Sequence, residues 1–120
     1  METLLGGKML KLVDLQQAIC EKYGATPSYC NDGQILMYAD TTRGLLPLNG
    51  MRVKTEDGSS GWYIWSGGHF TKEGDFFKPM YCSNIMPYAP VAEKFLALPV
   101  GYRFVIAGST EKAWLDAELV

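Results

Sequence analysis

The most constraining feature of this 120-residue sequence is the run Trp62-Tyr63-Ile64-Trp65, which is apolar at every position. Successive side chains of a strand point to opposite faces of a sheet, so both faces of this run are apolar. Such a run predicts a central strand that is covered on both sides. Before it, residues 51–55 alternate apolar and polar side chains, and the turn-rich segment 56–61 connects the two. We therefore predict an antiparallel hairpin at the centre of a sheet.

Two short helices are predicted outside this hairpin. Residues 14–23 place apolar side chains on one helical stripe, with Asp14 as the N-cap and Gly24 at the C-terminal end. Pro90 is suited to the first turn of the second helix, which Pro99 and Gly101 would end. Its predicted buried stripe consists of Val91, Phe95 and Leu98.

The remaining apolar segments predict further strands, at residues 35–39, 80–82, 102–107 and 112–116. Trp114, in the last of these, is expected to point inward. The sequence has no internal repeat and no long linker that would divide it. It therefore predicts a single α+β domain over residues 1–120, with a mainly antiparallel sheet and two short helices.

Charge and hydropathy exclude two classes of partner. Eleven Lys and Arg residues against thirteen Asp and Glu residues give a net charge of −2, without a basic run. Proteins that bind nucleic acid present several cations on one face, so we expect no nucleic-acid partner. No apolar run approaches the roughly 20 residues that a membrane-spanning helix needs. The N-terminal residues also lack the apolar core of a secretion signal, which favours a cytoplasmic location.

The cysteines predict neither a metal site nor a disulfide framework. Cys20, Cys30 and Cys82 are odd in number and form no CxxC pair. An unpaired thiol is typical of a reducing compartment, so we expect three free thiols and no structural disulfide. Metal binding would need more converging ligands than these residues, one histidine and scattered acids provide. The sequence therefore implies no cofactor.

Catalytic chemistry has one candidate base, His69, in a glycine-rich loop. It would form a Cys-His pair with Cys82 or a Ser-His-Asp set with Ser66 and Asp75, but sequence spacing does not establish either geometry. An exposed loop histidine is the alternative interpretation. A small hydrolase that uses His69 is one functional hypothesis. We nevertheless expect the protein not to be an enzyme.

Several short motifs follow one another through the second half of the chain: Gly61-Trp62-Tyr63-Ile64-Trp65-Ser66-Gly67, Asp75-Phe76-Phe77, Leu98-Pro99-Val100-Gly101-Tyr102-Arg103-Phe104 and Trp114-Leu115-Asp116. In order and spacing they resemble immunity protein family thirty-three of bacterial polymorphic toxin systems. The resemblance covers residues 51–116 most strongly. The loop after Gly67 departs from the family pattern, because it reads Gly-His-Phe-Thr-Lys where a more acidic stretch is expected.

The resemblance implies a protein that stays in the cytoplasm of the producing cell and binds a cognate protein toxin there. Its motif residues are largely apolar or glycine, so they would specify the fold and leave partner contacts to the loops. The candidate partner-binding residues are the acids that flank the aromatic run: Glu56, Asp57, Glu73 and Asp75. Ordinary solvated turn residues are the competing interpretation. A housekeeping adaptor or oligomerisation domain is the alternative function.

Overall fold

The computed structural model describes residues 2–5, 8–31 and 33–120. Residues 1, 6, 7 and 32, which the predicted domain includes, lie outside this description. Within the described residues the strands are β1 (Glu2–Leu5), β2 (Lys8–Lys11), β3 (Ile35–Tyr38), β4 (Leu48–Arg52), β5 (Trp62–Ser66), β6 (Lys78–Tyr81), β7 (Tyr102–Ala107) and β8 (Thr110–Leu115). The helix α1 spans Leu12–Lys22, and short 3₁₀ helices span Asp40–Thr42, Cys82–Asn84, Pro90–Phe95 and Ala117–Leu119.

Six strands form one mixed sheet in the order β6-β3-β5-β4-β7-β8. Only the pairing of β3 with β5 is parallel, and the other pairings in this sheet are antiparallel. Strands β1 and β2 pair with each other in a separate antiparallel hairpin. The mainly antiparallel α+β fold that the sequence predicts is confirmed. Among the described residues, the helices are too short or too polar to cross a lipid bilayer.

The central hairpin is confirmed, with Arg52 opposite Trp62 and Gly50 opposite Ile64. Strand β4 begins at Leu48, earlier than predicted, and includes Gly50, which reads as a loop residue in the sequence. A Cβ atom at Gly50 would overlap the ring of Phe104, which is fully buried on β7. Glycine is therefore needed here for close packing within the strand.

Helix α1 is confirmed, but its predicted N-cap is wrong. Lys11 is the N-cap, and the Asp14 carboxylate, in the first turn, accepts a hydrogen bond from the Lys11 backbone N–H at 3.4 Å. At the other end Gly24 adopts a φ of 70°, as the sequence predicts for a residue that stops a helix. The buried residue of this helix is Cys20.

The second predicted helix is a 3₁₀ helix over Pro90–Phe95. A 3₁₀ helix has three residues per turn, so Ala92 and Phe95 share one face of it. Both are fully buried, as is Leu98 beyond the helix, whereas Val91 is 49% exposed. The predicted stripe was thus wrong at Val91, because it assumed the period of an α-helix.

Each face of the sheet carries a hydrophobic cluster. The larger one, here called the helix-side core, packs β-strand residues such as Trp62, Ile64 and Phe104 against α1 and the Pro90–Phe95 helix. The smaller one, here called the aromatic face, is formed by Ala39, Met51, Trp65 and Phe77, with Tyr63 and Phe76 packed against them. Trp62 and Trp65 therefore lie on opposite faces, as the alternation of a strand predicts.

The sequence predicts that Trp114 points into the core, and this prediction is wrong. The residue is 42% exposed. On β8 it lies opposite Arg103, whereas its neighbour Ala113 lies opposite Phe104 and packs against the helix-side core. The alternation of the strand gives the inward position to Ala113. Trp114 therefore lies on the opposite face, where it lines a cavity together with Trp65 and Arg103.

Candidate functional site

The loop between β4 and β5 holds the first two candidate residues in a defined conformation. The backbone N–H of Val53 donates to the Gly61 carbonyl at 2.9 Å, which closes the loop. At its tip the Asp57 carboxylate accepts the Ser59 backbone N–H at 3.0 Å. This hydrogen bond lowers the pKa of Asp57, since it favours the charged form. Glu56 and Asp57 are both exposed, so the loop presents two carboxylates to solvent.

An open cavity of about 520 Å³ lies between this loop and the end of the sheet. Its polar end includes Asp57 and Thr55, and its apolar wall includes Met37, Tyr63 and Pro79. Gln34 donates a side-chain hydrogen bond to the Gly58 carbonyl at 3.2 Å, which ties the loop to the chain preceding β3. A carboxylate at one end and an aromatic ring on the wall suit a long cationic side chain.

The loop after β5 carries the other two candidate residues above the aromatic face. Phe70 and Phe77 pack on Trp65 and on each other, with ring centroids 4.8 to 6.1 Å apart. These contacts anchor the loop to the sheet. Glu73 and Asp75 are exposed on it. The loop is therefore held by its aromatic residues while its acids face solvent.

Lys72 is engaged with the sheet surface and not with the neighbouring acids. Its ammonium nitrogen lies 4.6 Å from the centroid of the Tyr63 ring. The ion pairs within the described residues are Lys94–Glu111 and Arg103–Asp116, so none of the four candidate acids is neutralised in this way. The carboxylates of the four candidate acids are therefore available to a partner.

Tyr63 is the point at which the two acidic loops approach the same part of the sheet. It lines the cavity that contains Asp57, and it lies under Lys72 of the second loop. We call the two loops and the aromatic face between them the acidic aromatic surface. Over residues 2–5, 8–31 and 33–120 no hydrogen bond or ion pair joins Glu56 or Asp57 to Glu73 or Asp75 directly. The structure therefore brings both loops to Tyr63 without bringing the two pairs of acids into contact.

The catalytic sets that the sequence allows are not assembled. His69 packs edge-to-face on Phe76, at 5.4 Å between ring centroids, on the aromatic face. Cys82 belongs to the helix-side core on the opposite face. Ser66 is buried, and its backbone N–H donates to the Thr42 hydroxyl. In the described part of the chain, no three His, Cys, Asp or Glu residues are grouped so that they would hold a metal ion.

Arg52 is a buried cation, only 4% exposed, that the sequence pattern does not reveal. Its guanidinium donates to the carbonyls of Ser60, Ser28, Leu98 and Leu96, at 2.7, 2.6, 2.9 and 3.3 Å. These carbonyls belong to the central hairpin, the segment after α1 and the segment after the Pro90–Phe95 helix. The alternation in residues 51–55 predicts that the Arg52 side chain points to solvent. Its pairing with Trp62 in the sheet shows that it points to the helix-side core instead.

Comparison with known proteins gives one match. No curated protein and no solved structure matches this sequence. A family model described as the Imm33-like domain matches residues 15–116. The match extends upstream of the resemblance at residues 51–116 and includes most of α1. Since it covers most of the sequence, the chain belongs to the Imm33-like domain family.

Proposed function

We propose that this protein is an immunity protein that binds a cognate bacterial toxin and neutralises it by forming a stoichiometric complex. The observation that carries the proposal is the match of residues 15–116 to the Imm33-like domain. Membership of an immunity family implies a protein partner and a role without catalysis of its own. Neutralisation would take place in the cytoplasm of the producing cell, before the toxin is exported.

The acidic aromatic surface is the proposed contact surface. Its carboxylates at Glu56, Asp57, Glu73 and Asp75 are exposed and suit a basic surface on the toxin. The turn at Asp57 and the aromatic anchors of the second loop fix both loops before binding. Such pre-organisation reduces the conformational entropy that is lost when a complex forms.

The cavity beside Asp57 gives this surface a specific anchor point. An arginine or lysine of the toxin would place its charge at the Asp57 carboxylate and its aliphatic part against Met37 and Pro79, which line the same cavity. Buried arginine anchors are among the residues that contribute most to binding energy in protein interfaces. Asp57 is therefore expected to matter most among the four acids.

Titration of the toxin with purified protein tests the proposed function. A producing cell must suppress nearly all free toxin, so we expect a Kd of nanomolar or below, about −12 kcal/mol or stronger. Toxin activity should fall linearly and reach its minimum near one equivalent. Protection at far below one equivalent, with toxin or substrate chemically altered, would indicate an enzyme. If a toxin gene lies beside the gene for this protein and the two products do not bind each other, the adaptor or oligomerisation alternative is favoured.

Charge reversal tests the proposed surface separately. The double variants Glu56→Lys/Asp57→Lys and Glu73→Lys/Asp75→Lys should each weaken binding by about tenfold or more, mainly through slower association. Asp57→Asn keeps the acceptor for the Ser59 N–H and removes the charge, so it separates charge from loop conformation. Glu21→Lys is the matched control, since Glu21 is exposed on α1, at the opposite face of the sheet. If all variants bind like this control, the contact surface lies elsewhere.

A further inference from the structure

Two of the free thiols, Cys30 and Cys82, line one cavity of about 340 Å³. Cys30 lies on the segment after α1, and Cys82 begins the 3₁₀ helix that follows the edge strand β6. The two side chains are close enough for one thiol to hydrogen-bond the other. The cavity is open at the surface, so a small molecule has access to this pair. The third thiol, Cys20, is fully buried and does not line this cavity.

The buried guanidinium of Arg52 lies beside the thiol pair. Cys30 Sγ and Arg52 Nη1 both donate to the Leu96 carbonyl oxygen, at 3.4 and 3.3 Å. The hydrogen bonds of Arg52 go to carbonyl groups, and within the described ranges no carboxylate forms an ion pair with it. A buried cation without an anionic partner favours the negatively charged form of a neighbouring group. The thiolate form of a neighbouring cysteine would be such a group.

The electrostatics of the site favour Cys82 as that thiolate. The pKa of Cys82 is lowered by the neighbouring Cys30 thiol, by the Ser60 hydroxyl and by the charge of Arg52, against the opposing effect of burial. Burial raises the pKa of Cys20, which has no such partners. Glu93 also lines the cavity, and burial raises the pKa of its carboxyl.

We propose that Cys82 and Cys30 form a peroxide-oxidisable dithiol, in which Cys82 is the attacking thiolate and Cys30 the resolving thiol. The Cys82 sulfur attacks one oxygen of hydrogen peroxide, so that an S–O bond forms, the O–O bond breaks and hydroxide leaves as water after protonation. The Cys30 sulfur then attacks the Cys82 sulfenic acid, an S–S bond forms, and the S–O bond breaks with loss of a second water. Two thiols are oxidised to one disulfide, and one peroxide is reduced to two waters.

The disulfide would join two segments that backbone hydrogen bonds already connect. The Cys82 N–H donates to the Gln34 carbonyl at 2.9 Å, and the Gln34 N–H donates to the carbonyl of Asn31, next to Cys30, at 2.9 Å. Cys20, Cys30 and Cys82 are free thiols in the structure. A dithiol reductant should restore this state, because thiol–disulfide exchange is reversible.

Peptide mapping of the full-length wild-type protein tests the proposal without depending on a variant that fails to fold. Reduced protein is treated with hydrogen peroxide, quenched with an alkylating reagent at intervals, digested and analysed by mass spectrometry. We expect an intramolecular Cys30–Cys82 cross-link that forms at least about tenfold faster than Cys20 is oxidised, because thiolate content and access control reactivity. Dithiothreitol should remove the cross-link.

Variants then assign the two roles. Cys30→Ser should leave Cys82 to accumulate as a sulfenic acid, detectable with a dimedone probe, whereas Cys82→Ser should lose the rapid reaction. Cys20→Ser is the matched control and should form the cross-link at the wild-type rate. Equal oxidation of all three thiols, cross-links only between molecules, or no cross-link at all would each overturn the proposal. Toxin binding is not part of this assay, so its outcome is independent of the proposed immunity function.

Discussion

Replacement of Trp62 is the most direct test of where the core lies. Its side chain is fully buried, its ring centroid is 5.4 Å from that of Phe104, and its Nε1 donates to the Leu96 carbonyl at 2.9 Å. Removing a buried tryptophan ring costs about 3 to 5 kcal/mol, since the transfer free energy is lost and a cavity is left. Trp62→Ala should therefore lower the free energy of unfolding by this amount. The native stability of a chain of this size is about 6 to 18 kcal/mol.

Trp62→Phe separates the ring from its hydrogen bond. Phenylalanine keeps most of the apolar volume but cannot donate to Leu96, whose carbonyl oxygen retains Arg52 and Cys30 as donors. Because this carbonyl is not left without a partner, the loss should be nearer 1 to 2 kcal/mol, about the net value of a hydrogen bond and a small packing defect. The difference between the two variants then measures the packing of the ring.

Urea unfolding followed by far-ultraviolet circular dichroism gives these free energies without relying on tryptophan fluorescence. Trp114→Ala is the matched control, because Trp114 is 42% exposed, and its loss should stay below about 1 kcal/mol. Equal losses for Trp62→Ala and Trp114→Ala would refute the assignment of Trp62 to the core. So would a loss below about 1 kcal/mol for Trp62→Ala.

Two further predictions concern the polar groups of the fold. Arg52→Met removes a hydrogen-bond donor from four carbonyl groups. It should lower the free energy of unfolding by at least about 2 kcal/mol in the same assay. An unchanged free energy would show that the guanidinium is not needed for stability. Arg103 donates to the Asp116 carboxylate at 2.7 Å and lowers its pKa below the usual 3.8, so the stabilisation is present near neutral pH and is lost as the pH falls through the lowered pKa. Asp116→Asn should therefore be less stable than wild type at pH 7, and this gap should narrow as the pH falls through the lowered pKa, whereas a gap that does not narrow in acid would exclude this cause.

Local patterns in the sequence predicted the central hairpin and both strands at the C-terminal end. Alternation and turn residues are local signals, and the pairing of neighbouring strands follows from them. The parallel pairing of β3 with β5 was not predicted, because it depends on which edge of the hairpin a distant segment joins. The sequence pattern starts strand β4 at residue 51, whereas the strand begins at Leu48. Gly50 looks like a loop residue in the sequence, because its role depends on the nearby Phe104 ring, which lies on another strand.

The candidate site was predictable only where it depends on local sequence patterns. The exposure of Glu56, Asp57, Glu73 and Asp75 follows from their place in polar loops, and the structure agrees with it. Their relation to Tyr63 depends on how the second loop folds back over the sheet, which no local pattern encodes. The cluster of Arg52 with Cys30 and Cys82 joins three segments that are distant in sequence. In the sequence, Arg52 looks like a solvent-facing residue of a strand, and the two cysteines look unrelated to each other.

The two edges of the sheet differ in how readily they would accept a strand from another molecule. Unpaired backbone groups on an edge strand are a template for aggregation, and short strands, proline and lysine discourage it. Strand β6 has only four residues and contains Lys78 and Pro79, which supplies no N–H group. Strand β8 has six residues, no proline and the charged pair Glu111 and Lys112. Self-association through strand addition is therefore blocked by backbone chemistry at one edge and opposed only by side-chain charge at the other.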